Sequence, residues 1–274
     1  MREPGGVRTA SFRSLDGLRL AGTLVIPSGQ LTSATVLVHG GGVTREEGGF
    51  FDRLAQGLAE AGIASLRFDF RGHGESDGLQ EDLTISGVAN DIRAAAEHLQ
   101  AALSSNEPVN LLGTSFGGGI TALCAARCPE LVRRLVLLNP LLNYKKRFID
   151  DKPYWHADHV DDEEGSELSE RGFLAHSPSF KLGRALLNEV FYVEPRRALG
   201  QIQAPTLFVH GTQDTFVPVE SSRWGVEQIT STAKLIEIDG AQHGFAVHDD
   251  PQYRHPQSQL WQTEVIEAVA EWLS

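Results

Sequence analysis

Ser115 sits in Gly113-Thr114-Ser115-Phe116-Gly117, a serine with a glycine two residues to either side. An apolar run, Val109-Asn110-Leu111-Leu112, leads into it, and a small-residue stretch over 118–127 follows. The pattern predicts a strand, a turn and a helix. Glycines remove side-chain clashes at so tight a turn and let the hydroxyl project above the strand end. A serine hydroxyl is a weak nucleophile at neutral pH. It needs a base for its proton, and the base needs an orienting carboxylate.

Those partners should stand just past later strands, because active groups gather beyond the carboxyl ends of a parallel sheet. Asp214 lies in His210-Gly211-Thr212-Gln213-Asp214, directly after the apolar residues 207–209. His243 lies in Gly240-Ala241-Gln242-His243-Gly244, directly after 235–238. Asp239 is nearer to His243 in sequence but precedes its loop, so Asp214 is preferred as the acid. A tetrahedral oxyanion would also need two backbone N–H donors. One is expected from Phe116. The other is expected from His39-Gly40-Gly41-Gly42, where consecutive glycines let amides approach a substrate. Gly41 is the chosen donor and Gly42 its close competitor. His39 reads as a residue that braces the loop.

The elements that must position these groups alternate. Residues 12–15 and 18–26 read as a hairpin turning at Asp16-Gly17. Residues 34–38, 63–70, 109–112, 135–138, 205–210 and 233–238 read as strands, and continuous apolar runs among them suit burial on both faces. Helices are expected over 49–61, 83–103, 219–229 and 258–273 from their apolar spacing. Between 141 and 203 the alternation stops. Acidic residues crowd 158–170 and aromatics scatter through the segment, so it reads as an inserted, partly helical cap. The expected organisation is a core over 1–140 and 204–274 with a cap or lid over 141–203. The fold class is α/β, a doubly wound, mostly parallel sheet.

Composition narrows the partners. The 274 residues carry a formal charge of −12, which argues against nucleic acid and anionic membrane surfaces. Cys124 and Cys128 fall on one helix face without a Cys-x-x-Cys or a nearby histidine pair, so they read as small apolar residues rather than a metal site. The first residues lack the apolar core of a signal peptide, and no apolar run is long enough to span a bilayer. A cytoplasmic location is the expectation. Arg71-Gly72-His73-Gly74-Glu75-Ser76 resembles a phosphate loop only superficially, since no Gly-Lys-Ser/Thr follows.

Taken together, the Gly-Thr-Ser-Phe-Gly-Gly, His-Gly-Gly-Gly, Phe-Asp-Phe-Arg-Gly-His-Gly-Glu-Ser-Asp, His-Gly-Thr-Gln-Asp and Gln-His-Gly-Phe motifs resemble the α/β-hydrolase superfamily. The order serine, aspartate, histidine is that superfamily's. Within it the chain looks most like small cap-bearing esterases of the cinnamoyl or feruloyl type. Those esterases carry a bulky residue after His-Gly, where this chain has Gly41. The resemblance implies hydrolysis of a carboxylic ester through an acyl-enzyme, with no cofactor and no metal. Ser115 would be the nucleophile, His243 the base, Asp214 the orienting acid, and Gly41 and Phe116 the oxyanion donors. The expected partner is a small-molecule ester or acyl compound, with a homodimer as the one protein assembly considered. The same triad would serve a thioesterase, an acyltransferase, an amidase or a C–C bond hydrolase. A non-catalytic binding protein on the same scaffold is the alternative of another class.

Overall fold

The computed structural model describes residues 5–248, 250 and 252–274. Its centre is an eight-stranded sheet whose strands lie in the order 6–13, 19–26, 63–68, 33–38, 109–114, 132–138, 206–211 and 233–238. β1 (Gly6–Arg13) and β2 (Arg19–Ile26) form the expected hairpin. β2 runs antiparallel to β4 (Ile63–Phe68). Every later pairing is parallel, through β3 (Ser33–Val38), β5 (Val109–Thr114), β6 (Val132–Leu138), β11 (Thr206–Gly211) and β12 (Ala233–Ile238). The crossovers are α1 (Phe50–Glu60), α2 (Ile85–Ala102), α3 (Ser115–Arg127) and α6 (Glu220–Gln228), and α7 (Pro256–Leu273) closes the chain.

Strand side chains point alternately to opposite faces, so each central strand feeds two cores. Val36 and Val38 join one core with Leu111 and Phe208, while Leu37 joins the other with Leu112 and Val209. α2 and α3 cover the first face, and α1 and α7 the second. On α1 the spacing predicted from sequence puts Phe51, Leu54, Ala55 and Leu58 against the sheet, all fully enclosed. Burial of each large apolar side chain there contributes roughly 2 kcal/mol. α2 begins where Thr84 accepts the Gly87 amide hydrogen at 2.9 Å, a side-chain cap that satisfies one of the helix's open N–H groups.

Residues 141–203 leave the sheet after β6. They contain β7 (Trp155–His156), β8 (His159–Val160), α4 (Asp162–Arg171), β9 (Phe173–Ser177), β10 (Phe180–Gly183) and α5 (Arg184–Glu189). The strands pair as two small antiparallel hairpins separate from the main sheet. The sequence showed no alternation here because strands of two to five residues are too short to carry a clear period. The acidic run forms α4, capped by the Asp161 side chain and mostly exposed. Among the described residues no helix is long and apolar enough to cross a membrane.

Candidate active site

β5 ends at Thr114, and the next residue turns sharply. Ser115 has φ +50°, a left-handed conformation that a side-chain-bearing residue adopts only when its surroundings force it. The two motif glycines explain how the chain fits. A Cβ on Gly113 would lie 2.3 Å from Thr121 Oγ1, and one on Gly117 would lie 2.0 Å from the His39 carbonyl oxygen. The turn is therefore wedged between α3 and the end of β3. Leu141 N–H donates to the Ser115 carbonyl at 2.9 Å, and the buried Tyr144 hydroxyl donates to the Phe116 carbonyl at 2.6 Å. The first residues of 141–203 thus tie directly to the serine turn.

The structure brings the three sequence-selected side chains together. His243 Nε2 lies 3.0 Å from Ser115 Oγ, and His243 Nδ1 lies 2.6 Å from Asp214 Oδ2. Asp239 instead accepts from Thr212 Oγ1 at 3.2 Å. Asp214 Oδ1 accepts from the Phe216 and Val217 amides at 2.8 and 2.9 Å. Burial alone would raise the Asp214 carboxyl, but hydrogen bonds from His210 and His243 and from the Val217 amide outweigh it. The group is held well below the usual carboxylate range. An ionised Asp214 at Nδ1 keeps the imidazole proton on that nitrogen and leaves Nε2 open to accept from Ser115.

His210 is a supporting residue that sequence reasoning placed only within a motif. It is fully buried, with Nδ1 2.7 Å from Ser222 Oγ and Nε2 2.8 Å from the Val217 carbonyl. Its Nε2 also lies 3.4 Å from Asp214 Oδ2. It therefore fixes the loop that presents the aspartate.

The glycine loop is braced from two sides. His39 stacks on Phe70 with ring centroids 3.8 Å apart, and its Nε2 accepts the Phe70 amide hydrogen at 3.3 Å. Its Nδ1 is 2.7 Å from the Gly40 carbonyl, so the ring is neutral with its hydrogen on Nδ1. Burial, and then the nearby His73, push its pKa well down. Gly40 N–H donates to the Glu47 carboxyl, and Gly42 N–H donates to His73 Nε2 at 3.1 Å. Gly41 N–H has no protein acceptor among the described residues. At the serine turn, Phe116 occupies the first turn of α3, where N–H groups have no acceptor within the helix.

Glu47 is the residue that sequence gave no reason to single out. Its side chain is buried at φ +45°, and it lines the same cavity as Ser115. Burial pushes its pKa up to about 7, against the opposing Gly40 hydrogen bond and the charge of His243. The cavity is about 420 Å³. Its apolar wall includes Val43, Phe116, Leu141, Phe148, Pro178 and Phe180, and Arg147, Lys152 and His176 also line it. Phe216 stacks beside the His243 ring at 5.3 Å.

The model of the family described as serine aminopeptidase, S33, matches residues 29–160. Est1E from Butyrivibrio proteoclasticus, in a structure with ferulic acid bound, superposes with a TM-score of 0.77 at 25% identity over 96% of this chain and 97% of that one. The chain has the α/β-hydrolase fold. Among its sequence relatives are proteins with ester-hydrolase names. It is 26% identical to a monoacylglycerol lipase of Mycolicibacterium smegmatis over 96% of this chain and 95% of the relative. It is 29% identical to the pimeloyl-[acyl-carrier protein] methyl ester esterase of Chromobacterium violaceum over 78% of this chain and 89% of that protein.

Proposed function

We propose that this α/β-hydrolase cleaves a carboxylic ester of a small acyl or aryl acid through an acyl-enzyme on Ser115. The observation that carries the reading is the unbroken line from Asp214 through His243 to Ser115, at 2.6 and 3.0 Å. Ser115 attacks the acyl carbon while His243 takes its proton. His243 then returns that proton to the leaving alcohol, and Asp214 stabilises the imidazolium between the two steps. The tetrahedral oxygen is received by the amides of Phe116 and Gly41. Gly41 is favoured over Gly42 because the Gly42 amide is already engaged by His73. Water activated by His243 releases the acid. The ester bond is favoured by the relatives, a monoacylglycerol lipase and a methyl ester esterase. Residues 141–203 serve as the cap, since Phe148, Pro178 and Phe180 wall the cavity beside Ser115.

The test is Ser115→Ala assayed on para-nitrophenyl acetate and butyrate. We expect kcat to fall by at least about 10⁴-fold with the fold retained. A fluorophosphonate probe should label the parent protein and not the variant. Undiminished turnover in Ser115→Ala would refute the assignment.

A further inference from the structure

Of the nine lysines and arginines in residues 141–203, Lys145, Lys146, Arg171, Lys181, Arg196 and Arg197 each pair with a carboxylate, and Arg184 is exposed and donates to Ser169 Oγ at 2.9 Å. Arg147 and Lys152 differ. Both are half-buried and line the active-site cavity, and among the described residues neither has a carboxylate within ion-pair distance. The Arg147 guanidinium lies over the Phe216 ring at 5.3 Å, and that ring stacks on His243. The one carboxyl lining the cavity among the described residues, Glu47, is bonded to the Gly40 amide and sits in the field of His243.

His176 adds a third polar group. It lines the same cavity, its ring packs edge-on to Phe148 at 5.1 Å, and its buried Nδ1 has no hydrogen-bond partner among the described residues. Burial, and then the charges of Lys152 and Arg147, drive its pKa down to about 4, and all three groups line the one cavity. A neutral imidazole with an idle nitrogen can put its hydrogen there and donate it. In a chain of net charge −12, two unpaired cations beside an idle donor in an apolar-walled cavity are a local reversal of sign. Unpaired charge is costly to hold away from water unless a ligand completes it.

We propose that Arg147, Lys152 and His176 form an anion-binding subsite that selects esters whose acid or alcohol part carries a carboxylate or phosphate. The inference deepens the proposed ester hydrolysis and rests on it for the reacting bond. Arg147 and Lys152 supply charge, His176 supplies a directional N–H, and together they orient the ester carbonyl toward Ser115.

Two matched pairs test it. The acyl arm compares the para-nitrophenyl half-ester of glutaric acid with para-nitrophenyl pentanoate. The leaving-group arm compares para-acetoxybenzoate with its methyl ester. In at least one arm the parent enzyme should favour the anionic member in kcat/KM by about tenfold, a preference that rising salt erodes. The Arg147→Gln/Lys152→Gln protein should lose about tenfold of that anionic-to-neutral ratio. An unchanged ratio in both arms would overturn the subsite. If the parent enzyme turns over neither pair, the ester-hydrolysis reading fails, and the subsite is read separately by calorimetry on Ser115→Ala. Tighter binding of an anionic member then upholds it, and equal affinity within both pairs overturns it.

Discussion

His73 Nε2 accepts the Gly42 amide hydrogen at 3.1 Å, while His73 Nδ1 lies 3.1 Å from the Arg71 carbonyl. Both bonds require a neutral ring. Burial keeps it so by lowering the His73 pKa. The histidine of the Arg-Gly-His-Gly turn thus sets the shape of the loop beside the serine. In His73→Ala the Gly42 amide is released and the neighbouring Gly41 amide loses its fixed direction. Outright loss of one oxyanion donor costs about 10²–10³ in kcat, so with Gly41 as the proposed donor we expect a fall of about 10²-fold, with KM little changed. Steady-state kinetics on a para-nitrophenyl ester decides it, and an unaltered kcat would remove His73 from the positioning of this loop.

Asp214→Asn should separate geometry from charge. The amide oxygen can still accept from Phe216 and Val217, which leaves the NH₂ group facing His243 Nδ1. The imidazole must then carry its hydrogen on Nε2, where it cannot accept from Ser115. A loss of about 10⁴-fold in kcat is expected, with the fold preserved. Circular dichroism alongside turnover checks both halves of the statement.

Glu47 makes stability depend on pH in a stated direction. Its folded pKa is raised, to about 7 from 4.5. The native state therefore holds that proton more tightly than the unfolded chain. The associated stability is complete below about pH 4.5 and is lost as pH rises through about 7. At about 1.4 kcal/mol per pKa unit the swing is on the order of 3 kcal/mol. Glu47→Gln keeps an oxygen for the Gly40 amide and abolishes the titration. Urea midpoints at pH 5, 6, 7 and 8 should fall less steeply for the variant than for the parent, and parallel profiles would contradict the assignment.

The Arg71 guanidinium joins two carboxylates, Asp91 at 2.7 Å and Asp16 at 2.7 Å. The Asp91 side chain is wholly enclosed, and its burial raises its pKa against the Arg71 bonds that lower it. Arg71→Met strands that carboxylate, with an expected cost of about 3–5 kcal/mol. Arg71→Met/Asp91→Leu should recover much of the loss, because no buried charge is then left alone. Urea denaturation of the two variants measures the difference.

The serine turn, the aspartate and the histidine were legible because each ends an apolar strand, and strand ends are marked locally by the change from buried to loop residues. The parallel core was legible for the same reason, through 34–38, 109–112 and 205–210. The environments of Glu47, Arg147, Lys152 and His176 were not. An acidic residue in a loop and a basic residue in an insertion look alike whether they face water or a cavity. Enclosure is decided by partners far along the chain, as where Phe180 covers Gly41. The small hairpins β7–β8 and β9–β10 escaped notice because so few residues define them.

Phe180 has one further consequence. A Cβ on Gly41 would lie 2.7 Å from its ring, and one on Gly42 would lie 2.8 Å from its Cβ, so the β9–β10 hairpin rests directly on glycine backbone. The hairpin and the glycine loop leave no room for a side chain between them, so a bulkier residue at either glycine would force the two apart.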